Sequence, residues 1–230
     1  RKEGRVTMQS PWWKKMFAWL DERLGLNDLY KNVLDRPEPL GNWWNTLGSA
    51  SLFLFLLQGA TGIFLTVYYT PSPDHAYDSI QYIMNDVAFG WLIRGIHHWG
   101  ASLMVLVVFI HMLRTFVTAS YKYPRELTWL IGIGLLLLTV GMGFTGYLLP
   151  WHQMAYWATM VGTAIAGSVP FVGNFILQAL RGGPDLSALT LQRFFAAHIW
   201  ILPAMLAALI GVHLYLIIKH GESHFPDKED

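Results

Sequence analysis

Histidine offers two ring nitrogens to a metal or a proton, and nine histidines stand in this chain. Four of them sit inside apolar stretches at matched spacings. His97 and His111 are fourteen residues apart, and His198 and His213 are fifteen apart. On a helix turning about 100° per residue, fourteen steps return to within about 40° of the start and climb about 21 Å. Fifteen steps end about 60° off and climb about 22 Å. Two helices running in the same direction would therefore present His97 with His198 at one depth and His111 with His213 at the other. An imidazole on either side of a haem iron fills both axial positions, so the iron binds neither oxygen nor substrate and passes electrons. Two such centres about 20 Å apart form an electron path across a bilayer. His98 is thirteen residues from His111, on nearly the opposite face, and is rejected as a ligand. His75, His152, His220 and His224 fall in loops or the tail and read as solvated side chains.

Two further groups repeat the same interval. Gly48 and Gly62 are fourteen apart, as are Gly132 and Gly146. Glycine lets backbones approach closely, so these positions are expected to admit the edges of the macrocycles. Arg94 lies three residues before His97 and Arg114 three after His111, on the ligand face at its two ends. Both suit carboxylate substituents, which need cations. The chain has no cysteine, which excludes disulfides, thiolate metal sites, cysteine nucleophiles and thioether-attached haem.

These residues must be held by helices that cross a membrane. The chain is 53% hydrophobic and 13% charged, with a net charge of +1 that offers no footprint for nucleic acid. A hydrocarbon core of about 30 Å needs about 20 mostly apolar helical residues. Four stretches qualify: roughly 46–69, 99–119, 127–149 and 194–218. Of the sixteen lysines and arginines, thirteen fall in residues 1–42, around the second connection or in the tail. Only Arg94, Arg181 and Arg193 fall near the other two connections. The positive-inside rule then places both termini on the negative, cytoplasmic side. The sequence divides into an N-terminal surface segment (1–42), a four-helix domain (43–221) and a short tail (222–230). Within the first, Ser10-Pro11 reads as a helix start. Trp12, Trp13, Met16, Phe17, Leu20 and Leu24 then line one face, as for a helix lying in the interface or packed on another subunit. The apolar connection from Pro150 to Gln192 reads as a helical hairpin broken near Ser168-Val169-Pro170 and Gly182-Gly183-Pro184. The expected fold is an all-α membrane bundle of four helices around two haems.

Particular strings carry a resemblance. Arg94-Gly95-Ile96-His97-His98-Trp99-Gly100-Ala101-Ser102, Pro124-Arg125-Glu126-Leu127-Thr128-Trp129, Gly146-Tyr147-Leu148-Leu149-Pro150-Trp151 and Arg193-Phe194-Phe195-Ala196-Ala197-His198 through Pro203 resemble cytochrome b of bc-type quinol-oxidising complexes. The likeness spans residues 40–221, and the fifteen-residue interval is similar to the short, split kind found in photosynthetic-type and bacterial menaquinol complexes. The resemblance implies two haem b groups, on His97/His198 at the positive side and His111/His213 at the negative side. It implies quinol oxidation in a positive-side pocket lined by Tyr147 and by residues 151–163, Trp157 among them. Gln58 would sit near the positive-side haem, and a negative-side quinone pocket near His111, His213, Arg114 and Lys219. It further implies proton release on one side and uptake on the other, a Rieske iron–sulfur protein, a c-type cytochrome, a homodimeric complex and, with the charge bias, a bacterial plasma membrane.

The sequence also departs from that pattern. His152 stands where the family often has an acidic residue or glycine, and Ile218 where short members tend to have arginine. The Pro-Glu-Trp-Tyr motif that carries the quinol-oxidising glutamate is absent, and Glu38, between prolines, does not replace it. A separate subunit or a further segment is expected to supply it. Thr46 stands where a cysteine often holds a third haem, so no covalent haem is expected and the quinone pocket near Thr46, Arg114 and Lys219 reads as open. Two other readings compete. A dihaem membrane anchor of a dehydrogenase also has four helices, but fits the equal spacings on alternate helices poorly. A haem-free transporter subunit should show polar groups at the midplane, where Leu54, Leu106 and Leu138 stand instead.

Overall fold

The computed structural model describes residues 11–24, 27, 31 and 43–221, and the chain divides into two units, Arg1–Asn42 and Trp43–Asp230. In the first unit, α1 spans Trp12–Leu24. It opens beside Pro11, whose carbonyl accepts from Lys14 N–H at 3.0 Å; Ser10 lies outside the described residues. Trp12, Trp13, Met16 and Phe17 are exposed, and the Arg23 guanidinium stacks 4.3 Å from the centre of the Trp19 ring.

The second unit is all-helical among its described residues. A 3-10 turn, Trp43–Thr46, leads into α2, Leu47–Tyr68. Then follow α3 (Ala76–Asn85), α4 (Gly90–Val117), α5 (Glu126–Leu148), α6 (Gln153–Gly167) and α7 (Gly173–Arg181). The last span is continuous from Ala188 to His220: α8 (Ala188–Ala196), a π turn (Ala197–Ile201) and α9 (Leu202–His220). The four long helices, α2, α4, α5 and α8–α9, have the length and apolarity to cross a bilayer, and the chain is an integral membrane protein. Lipid forces this outcome, because only a helix satisfies its backbone polar groups internally there. Phe53, Ile63, Val67, Trp99 and Trp200 accordingly point outward.

Two spans begin earlier than apolarity indicates. The second starts at Gly90, nine residues before Trp99, and the last at Ala188, before Phe194. Arg94, His97 and His98 in one, and Gln192 and Arg193 in the other, lower the local hydropathy without ending the helix. The hairpin between the third and fourth spans is the pair α6–α7, broken at residues 168–172 and 182–187. Gly182, at φ 80°, ends α7 in the left-handed region and donates to Gln178 O at 2.9 Å. The amphipathic helix α3 in the first connection was not anticipated; it buries Ala76 and Ile83.

The first span packs along the second, the third along the fourth, and the second along the third. The second and fourth are not among the closely packed pairs, which leaves a gap between the two helices that carry the histidines. One end of the bundle is closed by a core of Ala76, Leu148, Leu191 and Phe194, with Tyr69, Phe144 and Trp151 against it. There Tyr69 donates its hydroxyl to Leu149 O at 2.7 Å. At the other end Arg125 reaches Gly221 O at 3.3 Å and His220 O at 3.4 Å, serving the exposed carbonyls of the last span.

Arg181 organises the hairpin. It is 6% exposed and donates Nε to Thr163 Oγ1 at 2.7 Å, Nη1 to Pro184 O at 2.7 Å and Nη2 to Met160 O at 2.8 Å. Its own carbonyl accepts from Thr190 Oγ1 at 2.6 Å, which in turn accepts from Ser187 N–H at 2.9 Å at the start of α8. Arg181→Met would leave buried acceptors without donors, at a cost of about 2–4 kcal/mol. The expected result is a lower thermal midpoint in detergent and faster proteolysis between Gly167 and Ser187; an unchanged melting curve would contradict it.

Candidate cofactor-binding site

The second and fourth spans approach one another through the imidazoles of His97 and His198. The ring centres of His97 and His198 are 6.3 Å apart, inclined at 75°. Two metal–imidazole bonds of about 2 Å each, together with the inset of each nitrogen from its ring centre, fill that gap. His111 and His213 are neighbours at the second level. Among the described residues no cluster of three or more histidine, cysteine, aspartate or glutamate side chains could hold an ion unaided. Paired imidazoles across a gap instead suit an ion whose remaining ligands come from a macrocycle, so the residues present fit haem.

The fifteen-residue interval is resolved by the π turn. Leu202 N–H donates to Ala197 O, five residues back, and His198 lies inside this wide turn. A π turn takes one residue more than an α turn, so His198 and His213 return to the register of a fourteen-residue spacing. Pro203 lacks an N–H, so Ile199 O has no α-helical donor, and the wide turn falls at that point.

The four glycines stand against the histidine rings themselves. A Cβ at Gly48 would meet His111 Cε1 at 3.4 Å, and one at Gly62 would meet His97 Cε1 at 3.3 Å. At Gly132 it would meet His213 Cε1 at 3.5 Å, and at Gly146 His198 Cε1 at 2.6 Å. Each glycine therefore accommodates an imidazole edge from the neighbouring helix, whereas the spacing alone pointed to macrocycle edges. On either side of Cε1 lie the two nitrogens. Nδ1 of His97 meets Thr61 Oγ1 at 2.9 Å, and Nδ1 of His198 meets Thr145 Oγ1 at 3.2 Å.

The remaining candidates are more scattered. Arg94 is half-buried and reaches Met84 Sδ at 3.5 Å. Arg114 Nη2 donates to Asn45 Oδ1 at 2.5 Å; Asn45, one turn before Gly48, carries no signal of its own in the sequence. Lys219 is exposed, and Thr46 turns its hydroxyl back to Trp43 O at 2.7 Å. Gln58 packs beside Gly100 with its Nε2 buried. Tyr147 is 43% and Trp157 58% exposed, and no ring contact joins them among the described residues. Trp157 instead stacks edge-on with Tyr156 and donates to Gln153 Oε1 at 2.9 Å. His98 stands away from the pair, edge-on to Trp99. Two histidines read as solvated are not: His152 caps α6, its Nδ1 accepting from Ala155 N–H at 3.1 Å, and His220 ends α9 with Nδ1 buried. His224 lies outside the described residues.

Comparison with known proteins agrees with this geometry. A family model described as cytochrome b/b6/petB matches residues 32–221. A cytochrome b6 from Synechococcus sp. (strain RCC307) is 42% identical over 209 residues, covering 90% of this chain and 96% of that relative. A cytochrome b6 from Prochlorococcus marinus (strain MIT 9515) is 41% identical over the same length and shares. A solved chain from a hyperthermophilic respiratory Complex III superposes with a TM-score of 0.82 at 34% identity, over 93% of this chain. The present chain spans 58% of the length of that one.

Proposed function

The chain belongs to the cytochrome b/b6 family, and from that premise we propose that it is the dihaem subunit of a bc-type complex that transfers electrons from quinol to a c-type cytochrome or similar acceptor. The observation that carries the proposal is the facing of His97 and His198 at 6.3 Å, with His111 and His213 close enough to interact further along the same helices. Haem b bound at the two levels would supply one-electron transfer from one side of the membrane to the other. The protein's own residues hold and orient it. The four imidazoles would hold the two haems; Gly48, Gly62, Gly132 and Gly146 give the rings room; Arg94 and Arg114 would supply cations for the haem carboxylates. Tyr147 and Trp157, with Gln58 near the haem of that level, belong to the quinol-oxidising pocket on the positive side. Arg114 and Lys219 belong to the quinone-reducing pocket on the negative side, where both termini lie. Quinol oxidation on one face and quinone reduction on the other release and take up protons on opposite sides.

The proposed partners are a subunit or further segment carrying the glutamate motif, a Rieske iron–sulfur protein and a c-type cytochrome, in a homodimeric complex in a bacterial plasma membrane. The test is a reduced-minus-oxidised spectrum and a turnover assay on the complex purified from native membranes. Two low-spin b haems per chain are expected, with quinol turnover only when the partners are present. Absence of b-type absorption, or turnover by this chain alone, would overturn the reading. With threonine at position 46 and no cysteine, a haem-stained denaturing gel is expected to show no band at 26.2 kDa, and a haem count above two per chain would refute an open quinone pocket.

A further inference from the structure

The two levels of the bundle differ in what stands behind their histidines. At the His97/His198 level each Nδ1 meets a threonine hydroxyl, and each threonine directly precedes the glycine that makes room for the ring: Thr61 before Gly62, and Thr145 before Gly146. At the other level the matching positions are Leu47 before Gly48 and Ile131 before Gly132. Nδ1 of His111 and of His213 are buried there with no side-chain hydroxyl against them. The backbone repeats at three of the four sites. The carbonyls of Gln58, Met142 and Thr128 face His97, His198 and His213, each three residues before Thr61, Thr145 and Ile131 respectively. One side-chain position therefore decides whether a ligand gains a hydroxyl.

The direction of the bond follows from a count of protons. A threonine hydroxyl has one hydrogen. Thr61 gives it to Leu57 O at 2.7 Å, and Thr145 gives it to Gly141 O at 2.9 Å. With that hydrogen given to the carbonyl one turn back, both oxygens accept from the imidazoles, and a ring that offers the Nε2 lone pair to a metal carries its proton on Nδ1. An Nδ1–H donating to oxygen fixes the ring's rotation and strengthens Nε2 as an electron donor. A stronger axial donor favours the oxidised iron, which lowers its potential.

We propose that Thr61 and Thr145 are positioning residues that set the tautomer of His97 and His198 and lower the potential of that haem alone, while Leu47 and Ile131 leave the other haem without this bond. The inference rests on the ligand assignment above. The test is a spectroscopic redox titration of the purified complex, with electron paramagnetic resonance of each haem. Thr61→Val and Thr145→Val keep the shape and remove the oxygen. Each is expected to raise the reduced-to-oxidised ratio of the His97/His198 haem about tenfold at fixed potential, or about 59 mV for one electron, and to leave the other haem unmoved. Thr61→Ser and Thr145→Ser are expected to restore the wild-type value, which decides the matter if a valine variant loses haem. The reciprocal Ile131→Thr is expected to lower the potential of the His111/His213 haem alone. Valine variants with unchanged potentials and spectra, or serine variants that behave as valine does, would overturn the inference while the haem assignment stands. A wild-type complex without low-spin b haem would overturn both.

Discussion

Replacing His198 with alanine is expected to remove the low-spin haem of one level and leave the other intact. His198 faces His97 across 6.3 Å, a gap that one methyl group does not span. The neighbouring His98 is turned away beside Trp99, and no cluster of three or more histidine, cysteine, aspartate or glutamate side chains exists among the described residues. His97→Ala is expected to give the same loss, and His111→Ala or His213→Ala the complementary one. Two levels about 21 Å apart along the helix share no side chain, so their losses should be independent. Haem per polypeptide, measured by extraction, should fall by half in each single variant. A single variant that kept both haems at full occupancy would refute the ligand assignment at that position.

The second large effect is expected from one added methyl group. In Gly146→Ala the new Cβ would lie 2.6 Å from His198 Cε1 and 3.2 Å from both ring nitrogens. The ring has little room to retreat, since its Nδ1 is held by Thr145 and its backbone lies in the π turn. The haem of that level is therefore expected to be lost or converted to high spin. Gly132→Ala is the internal control: its Cβ would sit 3.5 Å from His213 Cε1, an ordinary contact, and both haems should remain. Gly62→Ala and Gly48→Ala, at 3.3 Å and 3.4 Å, fall between, with shifts of a few tenths of an ångström to absorb. The absorption spectrum and haem content of the four variants, ranked together, check the order. A Gly146→Ala protein with wild-type haem, or a Gly132→Ala protein as damaged as it, would show that the glycines serve some other purpose.

The sequence by itself determined the features that depend on regular repeats. A helix turns and rises by fixed amounts and a bilayer has a fixed thickness, so four spans and a two-level ladder of His97, His111, His198 and His213 follow from spacing and apolarity. The matching intervals at Gly48, Gly62, Gly132 and Gly146 follow in the same way. The extent of the spans was less legible, because Arg94, His97 and His98 are polar and the helix continues through them to Gly90. Tertiary structure decided what depends on contact between distant residues. Thr61 is 36 residues from His97, Thr145 is 53 from His198, and Asn45 is 69 from Arg114. No periodicity links such pairs; only the packing of the first span on the second and the third on the fourth brings them together. The same holds for the fifteenth residue between His198 and His213. The spacing showed a misfit of about 60°, and only the folded backbone, freed by Pro203 from one α-helical hydrogen bond, absorbs it in a π turn.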